Sequence, residues 1–155
     1  MTGIPLLGVF NVSKRTLTEL IALSDLPGVH AGVKYVVRAF SSGKLTQPAD
    51  RDAPSWPFTV SLPVRGWDIL SAYPVSSLDL SGGQVYAANL GLLGKMTGAA
   101  AIASSDLGRT EDGRGLLDTR LKALGKLGMT VLPSFPHALG PFPTFAEHDA
   151  ADLRC

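Results

Sequence analysis

Residues 58–64 alternate: Phe58, Val60, Leu62 and Val64 are apolar, Thr59, Ser61 and Arg65 are polar, and Pro63 interrupts. A period of two sends successive side chains to opposite faces, so this stretch is a strand that buries one face. After Gly66 the apolar set becomes Trp67, Ile69, Tyr73 and Val75. The face expected to be buried therefore moves from even to odd positions. A glycine allows this through a β-bulge or a tight bend. The expectation is the corner of a β-sandwich, with Trp67 and Tyr73 as core residues on the second arm. Either ring could stack on a sugar, but on an alternating strand face the core is the simpler place for it.

A corner needs many turns around it, and the chain supplies them, with 17 glycines and 11 prolines in 155 residues. That frequency fits short strands rather than bundled helices. A chain of this length is one domain's worth and hides roughly 70% of its unfolded surface. Hydrophobic residues make up 45% of it and charged residues only 17%, which leaves little charge to cover a free surface. A net charge of +1, with no basic stripe interleaved with aromatics, argues against nucleic acid as a partner.

The single cysteine, Cys155, has no second thiol for a disulfide or a metal, which fits a reducing compartment. The opening MTGIPLLGVFNVSKR lacks a basic n-region, and Gly8 and Asn11 break its apolar run, so it does not read as a signal peptide. The uncharged run Leu80 to Gly94 is too short and too polar to span a bilayer. The expectation is a cytoplasmic chain with no membrane partner. In that setting the sequon Asn11-Val12-Ser13 reads as ordinary strand and turn residues.

In chain order, Pro5 to Val12 opens directly on an apolar strand, which leads us to expect a further segment upstream. Thr16 to Leu23 has two readings. Thr16-Leu17-Thr18-Glu19 matches a capping box, whereas Leu17, Ile21 and Leu23 share one strand face with Glu19. Ser24 to Gly28 ends the segment with turn chemistry. Tyr35 to Phe40 is a strand stopping at Ser41-Ser42-Gly43, and residues 46–57 form a surface loop with three prolines. Gly82-Gly83 turns into a strand over Gln84 to Leu90. Gly98 to Ser105 is small and flexible, and Asp106 to Gly115 is a polar loop. Leu117, Leu121 and Leu124 fit a helical stripe, but Leu117, Thr119, Leu121 and Ala123, then Leu127, Met129 and Val131, fit two strands. Residues 133–155 have no period and are expected to be an irregular or disordered tail.

No constellation in this order carries chemistry, so no catalytic, cofactor-binding or metal-ligating residues are assigned. Asp50 and Asp52, like Glu111 and Asp112, lie in polar loops and are expected to be solvated charges. His30, His137 and His148 have no neighbours at metal-ligand spacing. Gly94-Lys95 is not a phosphate loop, because Asn89 replaces its first glycine and Met96 replaces the hydroxyl residue after the lysine. Ser41-Ser42-Gly43 lacks the first glycine of a nucleophile elbow, since Ala39 stands there.

VSLPVRGWDILSAYPV (Val60 to Val75), followed by Asn89-Leu90-Gly91-Leu92-Leu93 and the small-residue turn Thr97 to Ile102, resembles one known β-domain. It is the C-terminal β-domain of the raffinose synthase and alkaline α-galactosidase group, in glycoside hydrolase family 36. Leu7-Gly8-Val9-Phe10-Asn11 is similar to that group's "G-V-(aromatic)-N" strand. Arg15-Thr16-Leu17-Thr18, closing at Ser24-Asp25, is similar to its next strand and turn. The likeness runs collinearly over residues 5–132.

It implies an all-β antiparallel sandwich, here incomplete, and resolves both ambiguous segments to strand. It also implies that this is an accessory domain acting on α-galactosides only through a catalytic (β/α) barrel encoded upstream. In that barrel two aspartates would carry out retaining galactosyl transfer. No barrel motif is present here, so the chain alone is expected to be inactive. The alternative is a free-standing sandwich that binds carbohydrate or protein without catalysis.

Overall fold

The computed structural model describes residues 4–51, 58–80, 83–122, 125–133 and 144–149. Those residues form an all-β chain of twelve strands, every pairing antiparallel, with two short 3-10 turns. Contacts divide it into two compact units, one over Ile4–Pro74 and one from Val75 onward.

The first unit contains β1 (Leu6–Phe10), β2 (Leu17–Ile21), β3 (Lys34–Ala39), β4 (Ala49–Asp50), β5 (Phe58–Leu62) and β6 (Trp67–Pro74). One sheet has the order β1-β6-β3-β4, and β2 and β5 form a second, two-stranded sheet. Val60 and Leu62 from the small sheet meet Leu70 and Ala72 of β6 and Tyr35 and Val37 of β3 in one buried cluster. Leu23, Leu26 and Val29, around the 3-10 turn Leu23–Asp25, complete it. Two sheets with an apolar layer between them make this unit a small sandwich.

The expected corner is present. Gly66 N–H donates to the Pro63 carbonyl at 2.8 Å, and Arg65 takes φ 58°. This tight turn carries the chain from β5 in one sheet to β6 in the other. The expected change of parity is present only in part, because residues 70–73 of β6 are buried on both faces. Leu70 and Ala72 face the core, while Trp67 is 49% and Val64 47% exposed. The reason is geometric: the chain leaves one layer and returns in the opposite one, so even positions point inward on both arms. Tyr73 is buried as expected, although it lies outside that apolar cluster.

Thr16 to Leu23 resolves as β2, paired with β5 through Leu17↔Leu62 and Ile21↔Phe58, and the capping-box residues start no helix. Turn chemistry follows as expected, with Asp25 Oδ2 accepting the Ala22 N–H at 2.8 Å. Of the loop expected over residues 46–57, Ala49–Asp50 forms the short edge strand β4 against Lys34 and Tyr35. Residues 52–57 lie outside the described residues.

The second unit contains β7 (Ser76–Leu80), β8 (Gly83–Leu92), β9 (Ile102–Arg109), β10 (Gly115–Leu121), β11 (Lys126–Pro133) and β12 (Thr144–Asp149). Its sheet order is β12-β11-β8-β7, and β9 and β10 form a separate hairpin. The stretch expected to be small and flexible is instead a 3-10 turn, Gly98–Ala101, running into β9. Its small residues answer a packing demand: a Cβ on Gly98 would sit 2.0 Å from the Leu92 carbonyl oxygen. The expected polar loop over 106–115 shrinks to the turn at 110–114, because β9 and β10 pair from Arg109↔Gly115 inward. Leu116 to Leu132 takes the two-strand reading, as β10 and β11, with Ala123 and Leu124 outside the described residues. Within the stretch expected to be irregular, Pro133 ends β11 opposite Val85 and residues 144–149 pair with β11 as β12, while residues 134–143 and 150–155 lie outside the described residues.

Candidate functional site

Two places in the first unit bring functional side chains together. The first is the β5–β6 corner. Asn11, at the end of β1, is 3% exposed. Its Nδ2 donates to the carbonyls of Arg15 (2.8 Å), Leu62 (3.1 Å) and Pro63 (2.8 Å), and its Oδ1 accepts from Ser13 N–H and Oγ–H. The sequon residue is thus buried and fully engaged, with no free amide to modify. Around it the side chains are apolar and open. Phe10 is 70% exposed and Val12 94%, and Phe10 pairs in register with Trp67. Phe40 stacks beside Trp67, with ring centroids 6.3 Å apart and planes 20° apart. The Phe10 ring lies over Gly8, where an added Cβ would come within 3.1 Å of it. Three aromatics from β1, β6 and the end of β3 therefore form a shelf with one outward face. Alternation alone put Trp67 in the core and so missed this shelf; the flanking Phe10 and Val12, one on each side of Asn11, were the available signal.

The second is a groove of about 520 Å3. Its floor is Val37, Ala39, Val60 and Leu70, and its rim carries Ser42, Lys44, Thr59 and Ser61. Asp68 lies at one end, buried, and its carboxylate is fully used. It accepts Ser41 N–H (2.9 Å), Ser41 Oγ–H (2.5 Å) and Ile69 N–H (2.8 Å). Ser41-Ser42-Gly43 is thus a hairpin turn pinned to Asp68, with Gly43 N–H donating to the Ala39 carbonyl. Ser41 is held as a donor, not set up as a nucleophile.

The other singled-out residues are dispersed. Gly94-Lys95 lies in a turn after β8, where Gly98 N–H donates to the Lys95 carbonyl and a 3-10 turn follows rather than an α-helix. His30 contributes its backbone N–H to Tyr35 Oη at 3.2 Å. The backbone of His148 lies on β12, and His137 is outside the described residues. Glu111 and Asp112 are exposed turn residues, and Asp112 pairs with Arg114 Nε at 2.9 Å. Asp50 departs from its expected solvated state: it is half-buried on β4, and its Oδ1 has no hydrogen-bond partner. Asp52 is outside the described residues. Burial raises the pKa of the Tyr73 phenol, opposed by a hydrogen bond with Ser71 and by the charge and hydrogen bond of Arg38. In the second unit, Asn89 Nδ2 donates to Thr119 Oγ1 (2.8 Å) and Ser105 Oγ (3.3 Å), joining β8 to the β9–β10 hairpin.

Among the described residues no three His, Cys, Asp or Glu side chains gather as a metal site, and no helix is long and apolar enough to cross a membrane. No protein-family model matches the chain, and a search of curated proteins finds no match either.

Proposed function

We propose that this chain is the accessory C-terminal β-domain of an α-galactosidase or raffinose-synthase-like galactosyltransferase, inactive by itself and packed on a catalytic (β/α) barrel. The observation that carries this reading is the exposure of apolar side chains belonging to, or flanking, the resembling motifs. Phe10, Val12, Val64 and Trp67 surround the Asn11 corner and face outward. Exposed apolar side chains gathered around one corner, with Phe10 and Trp67 side by side in register, suit a surface that a partner covers. The Asn11 clamp gives that surface a rigid frame, which suits permanent docking. With Cys155 as its only cysteine the chain forms no internal disulfide, in keeping with a reducing, cytoplasmic setting.

The test mixes the purified chain with a family 36 barrel stripped of its own C-terminal β-domain. Co-elution on sizing, lost in a Trp67→Asp variant, is the expected result. Galactose release from raffinose or melibiose by the chain alone would overturn the reading, as would failure to associate.

A second reading has its own support in the stacked Phe40–Trp67 pair, whose open face suits a sugar ring. A free-standing carbohydrate-binding sandwich would show saturable galactoside binding, weakened in Trp67→Ala with the fold intact. A flat titration over common galactosides argues against it.

A further inference from the structure

The two sheets of the first unit differ in width, four strands against two. Neighbouring strands lie about 4.8 Å apart, so the smaller sheet falls roughly 10 Å short of covering the larger. The segment around Leu23, Leu26 and Val29 closes part of that shortfall. The groove lies along the rest of it: its floor reaches the buried core residues Val37, Val60 and Leu70, and the half-buried Ala39, Leu45 and Phe58 offer its accessible apolar surface.

The form of the groove identifies what fits it. Four consecutive residues of β5, Phe58, Thr59, Val60 and Ser61, line it. A strand face presents only alternate residues, so consecutive lining means that the groove runs along the edge of β5. That edge has no strand neighbour among the described residues, since β5 pairs only with β2. An open edge offers backbone donors and acceptors to another strand. Across the groove stand Leu45 and Thr46, and these are already tied to β3 through Arg38↔Leu45 and Thr46 N–H to the Val37 carbonyl. Free pairing capacity therefore lies on the β5 side, above an apolar floor. Lys44 is the one cation among the lining residues, and the Asp68 carboxylate is already taken by three donors.

We propose that this groove binds an extended peptide segment of another polypeptide, which adds to β5 as the third strand of its sheet. The bound segment sets alternate apolar side chains against Ala39, Leu45 and Phe58 and an acidic side chain beside Lys44. Five residues match the length of β5, about 17 Å at 3.4 Å per residue. Backbone pairing supplies affinity and the alternating pockets supply specificity, as in other strand-addition complexes. This inference uses a different face from the aromatic shelf and does not depend on the family reading.

The experiment uses the whole chain and a fluorescent seven-residue peptide of alternating valine and threonine with glutamate at both ends. Saturable binding is expected, with slowed amide exchange confined to Phe58–Ser61. The same peptide N-methylated on alternate residues should bind at least tenfold more weakly. An Ala39→Glu variant should lose binding; if it fails to fold, Lys44→Glu at the exposed rim should weaken binding several-fold. No saturable binding at millimolar peptide overturns the proposal. So does equal binding of the N-methylated peptide, which would make the groove an apolar small-molecule pocket, and so does protection that maps elsewhere, including to a self-associated form of the chain.

Discussion

The Nδ2 of Asn11 donates to the carbonyl of Pro63, 52 positions away, at 2.8 Å. With the bonds to Leu62 and Arg15 it ties the end of β1 to the turn between β5 and β6. The two opening motifs of the family resemblance thus meet at one side chain. Asn11→Ala leaves the buried Leu62 carbonyl and the part-buried Pro63 and Arg15 carbonyls without this donor. Each such loss costs about 1–3 kcal/mol, so we expect a total of about 3 kcal/mol. Urea unfolding reads this as a lower midpoint at unchanged slope. Asn11→Asp should be no milder at neutral pH, because a carboxylate then faces three carbonyl oxygens.

The same turn makes opposite predictions at adjacent residues. A Cβ on Gly66 would lie 2.6 Å from Pro63 Cδ and 2.9 Å from its carbonyl oxygen, so Gly66→Ala must open the turn. We expect a loss of about 1–3 kcal/mol. Arg65, at φ 58°, carries a side chain in the left-handed region, which disfavours all residues but glycine by about 1 kcal/mol. Arg65→Gly relieves that strain and should be neutral or stabilising by up to about 1 kcal/mol. Thermal melts of the two variants should move in opposite directions or differ by at least 5 °C.

What was legible in the sequence follows from which forces are local. The alternation of Phe58, Val60 and Leu62 located β5, because burial of one face acts on neighbouring residues of a single strand. The glycine at 66 located the corner for the same reason. The orientation of β6 was not legible, because it depends on which layer the chain re-enters, and periodicity carries no such information. Ile102 to Arg109 was hidden differently: its alanine, serines and glycine have little strand preference, and pairing with β10 supplies the order. Asp50 looked like a solvated loop charge because two-residue β4 is too short to leave a pattern. The groove was invisible for a further reason, since it arises from the unequal widths of two sheets.

Tyr73 gives the fold a pH limit. Its phenol is neutral when protonated, and burial raises its pKa above the ordinary value of 10.0. The folded state therefore holds this proton more tightly than the unfolded chain. Stability from this group is complete below pH 10 and is lost as pH rises through the folded-state pKa. Melting temperature should fall above pH 10 with a slope that flattens in Tyr73→Phe. Absorbance titration of the tyrosines should show one ionising late, and that late step should vanish in the variant.

On the β9–β10 hairpin, Asp106 and Asp118 stand directly opposite each other in register, both exposed. Like charges in a cross-strand pair destabilise a sheet, and opposite charges stabilise it by a few tenths of a kcal/mol to about 1. Asp118→Lys should therefore raise stability by roughly 0.5–1 kcal/mol at low salt. The gain should shrink in molar sodium chloride, where screening extends over only about 3 Å. A gain that salt leaves unchanged would assign the effect to the lysine's strand propensity rather than to charge.

Trp67 separates a core from a docking surface. A tryptophan buried in a core costs about 3–5 kcal/mol on truncation to alanine. Trp67 is 49% exposed and loses chiefly its stacking on Phe40, so Trp67→Ala should cost only about 0.5–1.5 kcal/mol. The same substitution removes an exposed apolar ring beside Phe10, and binding of a hydrophobic dye to the native chain should fall with it. Self-association on sizing should decline in parallel if the shelf drives it. A destabilisation above 3 kcal/mol with unchanged dye binding would return Trp67 to the core and remove the surface on which the proposed function rests.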